Sequence, residues 1–324
     1  MKQVAVIIPV SEFEATPVVL NSAQTIVALD HSALTTSIVY AIDSTSEDDE
    51  RVIVLKQNGV DVLPRQSRGK RAGAINDALR YLADFKPDYV ALFDVDSRPE
   101  RNFLKACINA LEQDPQAYIA SSRRYISNPV NLVSRTIQAE YYLLNLLLRK
   151  SAFKQFNGLI GVLRADLLYR YKLNEAVITE DADYATRLHA QGYNALLVTG
   201  TKLYEQAPVT WQDLVKQRTR WYYGGLQLWR YWNEVKSSKN RHFIRSWVLA
   251  LTITYCLVLF LPIVLFAPFI LRYYSRRAAE PLAPSVSAGF IFYILILQYA
   301  AIIALVKFVR GRGVEWQALK RVTD

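Results

Sequence analysis

Two cysteines, Cys107 and Cys256, and three histidines, His31, His189 and His242, are all that this chain has of the residue types that commonly hold structural metals. A pair of thiols, one of them inside an apolar run, excludes a disulfide framework and a cysteine-based metal site. The histidines show no metal-ligand spacing, and His189 reads as an ordinary helix-face residue. The thiols are compatible with a reducing compartment. Internal repeats, low-complexity tracts and a flexible linker are also missing, which excludes the solenoid and disordered classes. There is no signal-peptide pattern: Met1-Lys2-Gln3 leads directly into the apolar run Val4 to Pro9, and Glu12 and Glu14 follow too soon. That start is expected to be the first buried strand of a domain.

What is present is an unusual mixture. A length of 324 residues suits one large α/β domain with an appendage. The chain is 52% hydrophobic with mean hydropathy +0.06, yet 21% of it is charged. This combination points to a soluble part joined to a membrane part. The net charge of +10 suits either nucleic acid or anionic lipid and phosphorylated substrates. The basic residues cluster around apolar runs and form no recognisable nucleic-acid motif, so a nucleic-acid partner is excluded.

From residue 4 to about 200, short β-branched runs alternate with helix-length amphipathic stretches. Val4–Ile8 reads as a buried strand closed by Pro9, and Thr16–Leu29 as a helix with Thr16 as N-cap and Pro17 at its first position. Ile38–Ile42 is a second strand ending at Asp43, Val60–Leu63 a short third, Ala72–Phe85 a helix, and Tyr89–Phe93 a strand ending at Asp94. Such alternation predicts a mainly parallel sheet covered by helices, with ligands beyond the carboxyl ends of the strands, where Asp43 and Asp94 fall. Further on, 131–150 and 181–191 read as helices. Trp211–Trp232 mixes tryptophan with Lys and Arg, as in a helix lying at a membrane interface.

Two apolar segments close the chain, about 247–271 and 288–308, each near or above the roughly 20 residues that cross a bilayer core. Lys236, Lys239, Arg241 and Arg245 precede the first, and Lys307, Arg310, Arg312, Lys320 and Arg321 follow the second. The positive-inside rule puts both flanks in the cytosol, although Arg272, Arg276 and Arg277 lie in the connecting loop. The expected organisation is therefore a catalytic domain over 1–205, interfacial amphipathic helices over 206–245, a two-helix transmembrane hairpin over 246–309 and a cytosolic tail over 310–324.

Three short motifs carry chemistry. Asp94-Val95-Asp96 places two carboxylates where a strand opens into a loop, able to hold a hard cation against phosphate oxygens; a solvated turn would look the same. Thr179-Glu180-Asp181 opens a helix, where a cap and dipole-favoured acids explain it structurally and a proton-accepting carboxylate explains it chemically. Gln217-Arg218-Thr219-Arg220-Trp221 lies in the interfacial region. It reads as a basic helix on lipid, or as Arg220 neutralising a diphosphate with Trp221 against a sugar face. Gly158 and Gly161 suit either ordinary turns or a close approach of an acceptor to backbone, and Tyr141-Tyr142 suits core packing or an acceptor groove.

D-x-D, then T-E-D, then Q-x-x-R-W, in that order and ahead of apolar segments, resembles the family 2 glycosyltransferases, nearest to the branch of cellulose, hyaluronan and glucosylceramide synthases. Val6-Ile7-Ile8-Pro9-Val10 resembles the family's opening strand, Asp43-Ser44-Thr45 its first aspartate motif and Arg71-Ala72-Gly73-Ala74-Ile75-Asn76 its K-A-G-x-x-N segment. The likeness covers roughly residues 4 to 235. It implies an α/β GT-A fold. By the same resemblance Asp43 meets the nucleotide base, Asp94 and Asp96 bind the diphosphate and Mg2+ or Mn2+, and Arg71, Gln217, Arg220 and Trp221 shape the donor site. Asp181 is then the general base with Glu180 beside it, and the single displacement is inverting. The sequence departs from the pattern at Ile42, where a second aspartate is common, at Arg71, where lysine is usual, and at Ser11-Glu12-Phe13-Glu14, where asparagine-glutamate is common.

The implied donor is a nucleotide sugar, with UDP-sugars foremost. Two helices cannot enclose a polysaccharide channel unless protomers associate, so the expectation is limited transfer to a membrane lipid at the cytosolic face, in a plasma membrane. A processive polysaccharide synthase working as an oligomer on a glycan acceptor, and an inactive sugar-nucleotide-binding scaffold, are the alternatives.

Overall fold

The structure is a computed structural model that describes residues 1–44, 46, 48–66, 70–256, 266, 269, 272–273 and 283–314. Strands are β1 Lys2–Val10, β2 Leu34–Asp43, β3 Asp61–Arg65, β4 Tyr89–Leu92, β5 Arg98–Pro99, β6 Ala117–Ile126, β7 Gly161–Arg164 and β8 Asn194–Glu205. The helices that pack with this sheet region are α1 Thr16–Val27, α2 Glu50–Gln57, α3 Lys70–Tyr81, α4 Phe103–Gln113, α5 Leu132–Lys150, α6 Ala165–Tyr171 and α7 Glu180–Ala190. After them come α8 Trp211–Gln227, α9 Trp232–Lys236, α10 Arg241–Cys256 and α11 Pro284–Val309.

All the strands form one sheet in the order β3-β2-β1-β4-β7-β6-β8-β5. β1 shows why the sequence makes it a central strand. Its alternate residues Ala5 and Ile7 point into the core under α3, α6 and α7, while Val4, Val6, Ile8 and Val10 point into the core under α1, α2 and α4. Thr16 is inside α1 rather than capping it: Ala15 holds the cap position, and the Thr16 hydroxyl donates to Glu50 Oε2 at 2.9 Å.

The sheet is mixed, with most strands running one way and β7 and β5 reversed. β3, β2, β1 and β4 are parallel, as the strand–helix alternation predicted, but β7 runs antiparallel to both β4 and β6. β6 and β8 are parallel and β8 pairs antiparallel with β5. The change comes where the alternation in the sequence stops, after Asp94. Because β6 is parallel to β4 and β7 opposes both, the chain leaves β6 and enters β7 at the same carboxyl edge. α5 therefore does not carry it back across a sheet face, as a parallel crossover requires.

A third apolar cluster joins α5, α8 and α11. Val286, Phe290, Tyr293, Ile294, Ala300, Ala301 and Ala304 recur at helical spacing on the covered side of α11. Gly289 lets α11 approach α5 closely, since a Cβ there would sit 2.7 Å from Thr136 Oγ1. The opposite side of α11 exposes Phe292, Leu295, Tyr299, Ile302, Leu305 and Val309. An apolar face of that size on a soluble surface marks a binding surface or lipid contact. Among the described residues α11 is the one helix long and apolar enough to cross a membrane, with 26 residues and a mean hydropathy of 2.4 over its most apolar window.

The other expected span, 247–271, lies outside the described residues beyond Cys256, apart from Phe266 and Phe269. Its beginning packs into the core shared with α7. Phe243 and Trp247 on α10 are fully buried, and Trp247 Nε1 donates to Thr186 Oγ1 on α7 at 3.0 Å. The last expected segment, 310–324, is described only through residue 314.

His189 is a helix-face residue of α7, on the face buried under α10, stacked on Phe243 with ring centroids 5.3 Å apart and edge-on to Tyr118 and Phe153. Burial lowers its pKa to about 4. The unfolded chain therefore binds a proton at His189 between about pH 6.5 and pH 4 that the folded chain does not, so stability falls as pH drops through that window. The loss should total about 3 kcal/mol once both states are protonated. His189→Phe is expected to flatten this part of the stability–pH profile, measured as Tm between pH 7 and pH 4; an unchanged acid slope would remove His189 as the cause.

Candidate active site

The carboxyl edge of the sheet gathers the motifs. Beyond β4, Asp94 turns tightly, its amide donating to Ser97 Oγ at 3.0 Å and its carbonyl accepting from the Ser97 amide at 2.9 Å. Asp96 is buried, and its Oδ2 accepts from the Gln206 amide at 3.3 Å, just past the end of β8. Arg71, in the first turn of α3, donates from Nε to Asp94 Oδ1 at 2.8 Å and from Nη1 to Glu180 Oε1 at 2.9 Å. Its remaining nitrogen, Nη2, is buried without a hydrogen-bond partner and faces Gly158. A Cβ on Gly158 would sit 3.2 Å from Arg71 Nη2 and 3.3 Å from Asp94 Oδ2. D-x-D, the first helical turn of α3 and T-E-D are thereby one cluster.

Glu180 and Asp181 open α7, where the helix dipole favours acids, and both are buried. Thr179 holds the cap position but makes no side-chain cap bond. Asp181 Oδ2 accepts from the Gly158 amide at 2.6 Å and Oδ1 from the Ala182 amide at 2.8 Å. Burial raises the pKa of Glu180, opposed by Arg71 and assisted by Asp181. For Arg71, burial alone would lower the pKa, but Asp94 and Glu180 outweigh it and the net shift is upward. Arg71 is thus held in its charged form, while at Glu180 burial still outweighs the attraction of Arg71.

α8 brings the third motif. Gly224 is so close to Thr179 that a Cβ would lie 2.2 Å from its Oγ1, and the Ile178 amide donates to Gln227 Oε1 at 3.0 Å. Gln217, Arg220 and Trp221 stand at i, i+3 and i+4 and share a face. Arg220 is in electrostatic contact with Glu180, Asp181, Asp94 and Arg71; burial lowers its pKa, while the three carboxylates pull the other way. Arg218, two residues back and about 200° round the helix, is buried on a different face, where it ion-pairs with Glu140 of α5 at 2.5 Å. Its guanidinium also lies 4.2 Å from the centre of the Trp221 ring.

Asp43 is apart from this cluster. It ends β2, two strand spacings or about 10 Å across the sheet from the line of β4. It accepts from Arg65 Nη1 at 2.5 Å, and Arg65 Nε donates to Asp77 Oδ2 at 2.7 Å. Asn76, last of the K-A-G-x-x-N-like segment, is buried and clasps Leu173 and Glu175, tying α3 to the loop that leads to α7.

A divalent cation fits the donor set at Asp94 and Asp96. Among the described residues no three Asp, Glu, His or Cys side chains make a metal cage. Two hard carboxylates at a strand end are the usual protein share for Mg2+, the rest of its shell being water and substrate phosphate.

The sequence did not single out Glu205 or Arg124, and it marked Gly158 for a turn or an acceptor's approach, not as a donor to Asp181. Glu205 ends β8 as Asp94 follows β4, so the rule about strand ends would have found it. It accepts from Arg124 Nη1 at 3.0 Å and from the Tyr141 hydroxyl. Tyr141 is therefore a core residue with a polar partner, and burial raises the pKa of both Tyr141 and Glu205.

Comparison with known proteins was made against this geometry. A glucomannan 4-beta-mannosyltransferase 7 of Arabidopsis thaliana is 24% identical over 227 residues, 65% of this chain and 41% of that protein. A probable glucomannan 4-beta-mannosyltransferase 7 of Oryza sativa subsp. japonica is 28% identical over 180 residues, 51% of this chain and 30% of that protein. The chain thus spans less than half the length of these curated relatives. A solved structure, the mannosyltransferase PcManGT of Pyrobaculum calidifontis in complex with GDP-Man and Mn2+, superposes with a TM-score of 0.63 at 17% identity, covering 96% of this chain and 88% of that one. That match identifies the fold as an α/β, GT-A-like one with a mixed sheet. The family model described as glycosyl transferase family group 2 matches residues 89–305, well over half of the sequence, and the chain belongs to that family.

Proposed function

We propose that this chain is an inverting glycosyltransferase that moves a mannosyl group from GDP-mannose to an acceptor hydroxyl at a membrane surface. The observation carrying this reading is the joining of Asp94, Arg71, Glu180 and Arg220 at the carboxyl edge of the sheet, with Asp181 one peptide away. GDP-mannose replaces the UDP-sugar that the resemblance put first, because the relatives are named for mannosyl transfer and the neighbour holds GDP-Man. UDP-sugars remain the comparison arm of the test.

In this reading Asp94 and Asp96 hold Mg2+ or Mn2+ with the donor diphosphate, and the cation supplies Lewis-acid stabilisation of the departing charge. Arg220 and the unpartnered Nη2 of Arg71 offer fixed donors to the same oxygens, at no reorganisation cost during the reaction. Asp43 takes the nucleotide base, two strands away. Gln217 and Trp221 line the donor and acceptor side on the face of α8 that carries Arg220. Asp181 accepts the proton of the acceptor hydroxyl opposite the leaving group, and Glu180 keeps Arg71 in place.

The acceptor is proposed to be lipid-borne. α8 has the site on one side and α11 on another, and α11 exposes an apolar face to its surroundings. The organisation expected from sequence is kept as part of this proposal: catalytic residues to 205, interfacial helices to 245, two spans and a short tail, with the catalytic body in the cytosol. The names of the plant relatives favour a second reading, in which the acceptor is a β-mannan or glucomannan chain.

Incubating the purified full chain with Mn2+, labelled GDP-mannose or UDP-sugars, and either total lipid extract or manno-oligosaccharides tests the proposal. Label from GDP-mannose is expected in the organic phase; label only in water-soluble chains would replace the lipid reading, and none from any donor would end the enzymatic one. Asp181→Asn should keep nucleotide binding and lower transfer by about 10²-fold or more; undiminished transfer removes Asp181 from the base role. Gly224→Ala has no room for its methyl group and should push α8 from Thr179, costing about 1–3 kcal/mol of stability. Its kcat should fall further than that of a surface variant such as Glu234→Ala, read by thermal unfolding and steady-state kinetics together.

A further inference from the structure

The geometry points to Arg124 as a positioning residue that holds the Asp181 carboxylate through a single peptide unit, Asn157–Gly158. This rests on the proposed role of Asp181 and adds to it a residue that none of the sequence motifs contains.

The chain of contacts is short. Arg124 Nη2 donates to the Asn157 carbonyl at 2.5 Å, and the Gly158 amide donates to Asp181 Oδ2 at 2.6 Å. That carbonyl and that amide are the two ends of one peptide plane, and none of the described peptides is cis. In a planar trans peptide the C=O and N–H vectors point in opposite directions. The guanidinium therefore sits at the negative end of the peptide dipole and the Asp181 carboxylate at its positive end. A cation on the carbonyl polarises the amide and strengthens the bond it gives to the carboxylate.

Two features fix the orientation of this peptide. Gly158 has φ +64°, the left-handed region that a side chain would disfavour, and a Cβ there would press on Arg71 Nη2 and Asp94 Oδ2. Arg124 is itself immobilised: its Nη1 pairs with Glu205 at 3.0 Å, Glu205 accepts from Tyr141, and the Arg124 backbone exchanges two hydrogen bonds with the Asn145 side chain at 3.2 and 2.9 Å. Arg124 is 5% exposed, so water does not compete for these bonds. Burying an arginine and a glutamate is costly unless both are well paired. Here the arrangement ends on the backbone of the site and on nothing at the surface. The next residue after Glu205 gives its amide to Asp96, so the same strand end also supports the D-x-D motif.

A purely structural ion pair predicts lost stability alone. The positioning role predicts that turnover falls while donor affinity is kept, because a displacement well below 1 Å at a catalytic base is expensive in rate. Arg124→Lys preserves the charge but offers one point donor in place of a fork, and cannot serve Glu205 and Asn157 in the same geometry. It is expected to lower kcat for transfer from GDP-mannose to lipid extract by about tenfold or more, with KM for GDP-mannose within about twofold. Hydrogen exchange at the Gly158 amide should accelerate while exchange across β1 and β4 is unchanged. Tyr141→Phe, which removes one hydroxyl and keeps the packing, should move kcat and Gly158 exchange in the same direction by a smaller factor, and covers the case in which Arg124→Lys does not fold.

Unchanged kcat with only a lower Tm, or unchanged Gly158 exchange, would overturn the proposal. Asp181→Asn run in parallel separates the two ideas: if it transfers normally, the base assignment has failed, whereas if it is inactive and Arg124→Lys is not impaired, the positioning role has failed. If GDP-mannose is not turned over by the wild type, the exchange measurement still decides whether Arg124 fixes this peptide.

Discussion

Arg71 spans two carboxylates from distant parts of the chain, Asp94 after β4 and Glu180 at the start of α7. Few side chains can do this. The guanidinium presents donors along separate edges of a rigid plane, whereas an ammonium is a point. Glu180 is buried, and its charge would be costly there without the guanidinium, whereas Asp94 is only partly buried. The remaining parts of the site are placed relative to this bridge: Gly158 lies against it, Asp181 hangs from Gly158, and Arg220 adds a second cation from α8. The arginine that stands where the family usually has lysine is thus a structural centre of the site as well as a candidate donor contact.

Much of this was legible in the sequence. Sequence patterning found β1 to β4 and the helices α1 and α3, though not the short α2, and the strand-end rule placed Asp43 and Asp94 at the carboxyl edge. The reversal of β7 was not legible, since direction in a sheet depends on where a connection travels and not on local propensity. The burial of His189 was not legible for a related reason: its partners, Phe243 and Tyr118, come from elements far away in sequence. Trp247 looked like the opening of a membrane span because a buried tryptophan and a lipid-facing one have the same neighbours along the chain. The motifs named Glu180, Asp181 and Arg220 but not Arg124, whose contact with the site runs through a main-chain carbonyl that no side-chain pattern can reveal.

The mixed sheet has a chemical effect at its rim. Parallel strands bring their carboxyl ends there, and here those ends deliver acids: Asp43, Asp94 with Asp96, and Glu205. β7 arrives from the other direction and contributes the loop that precedes a strand. That loop supplies an N–H from Gly158 and a C=O from Asn157, one for a carboxylate and one for a guanidinium. The loop before the reversed strand therefore adds neutral backbone groups among charged side chains, one partnering Asp181 and the other Arg124.

α8 separates the cluster from α11 with a single layer of helix. Arg220 and Gly224 belong to its inner side, while Leu214 packs in the cluster shared with α11 and Tyr223 meets Phe308 edge-on at 5.5 Å. α8 thus packs both against α11 and against Thr179 at the head of α7. The helix with the exposed apolar face and the acidic cluster therefore share one intermediary, and whatever covers α11 lies a single helix away from Thr179.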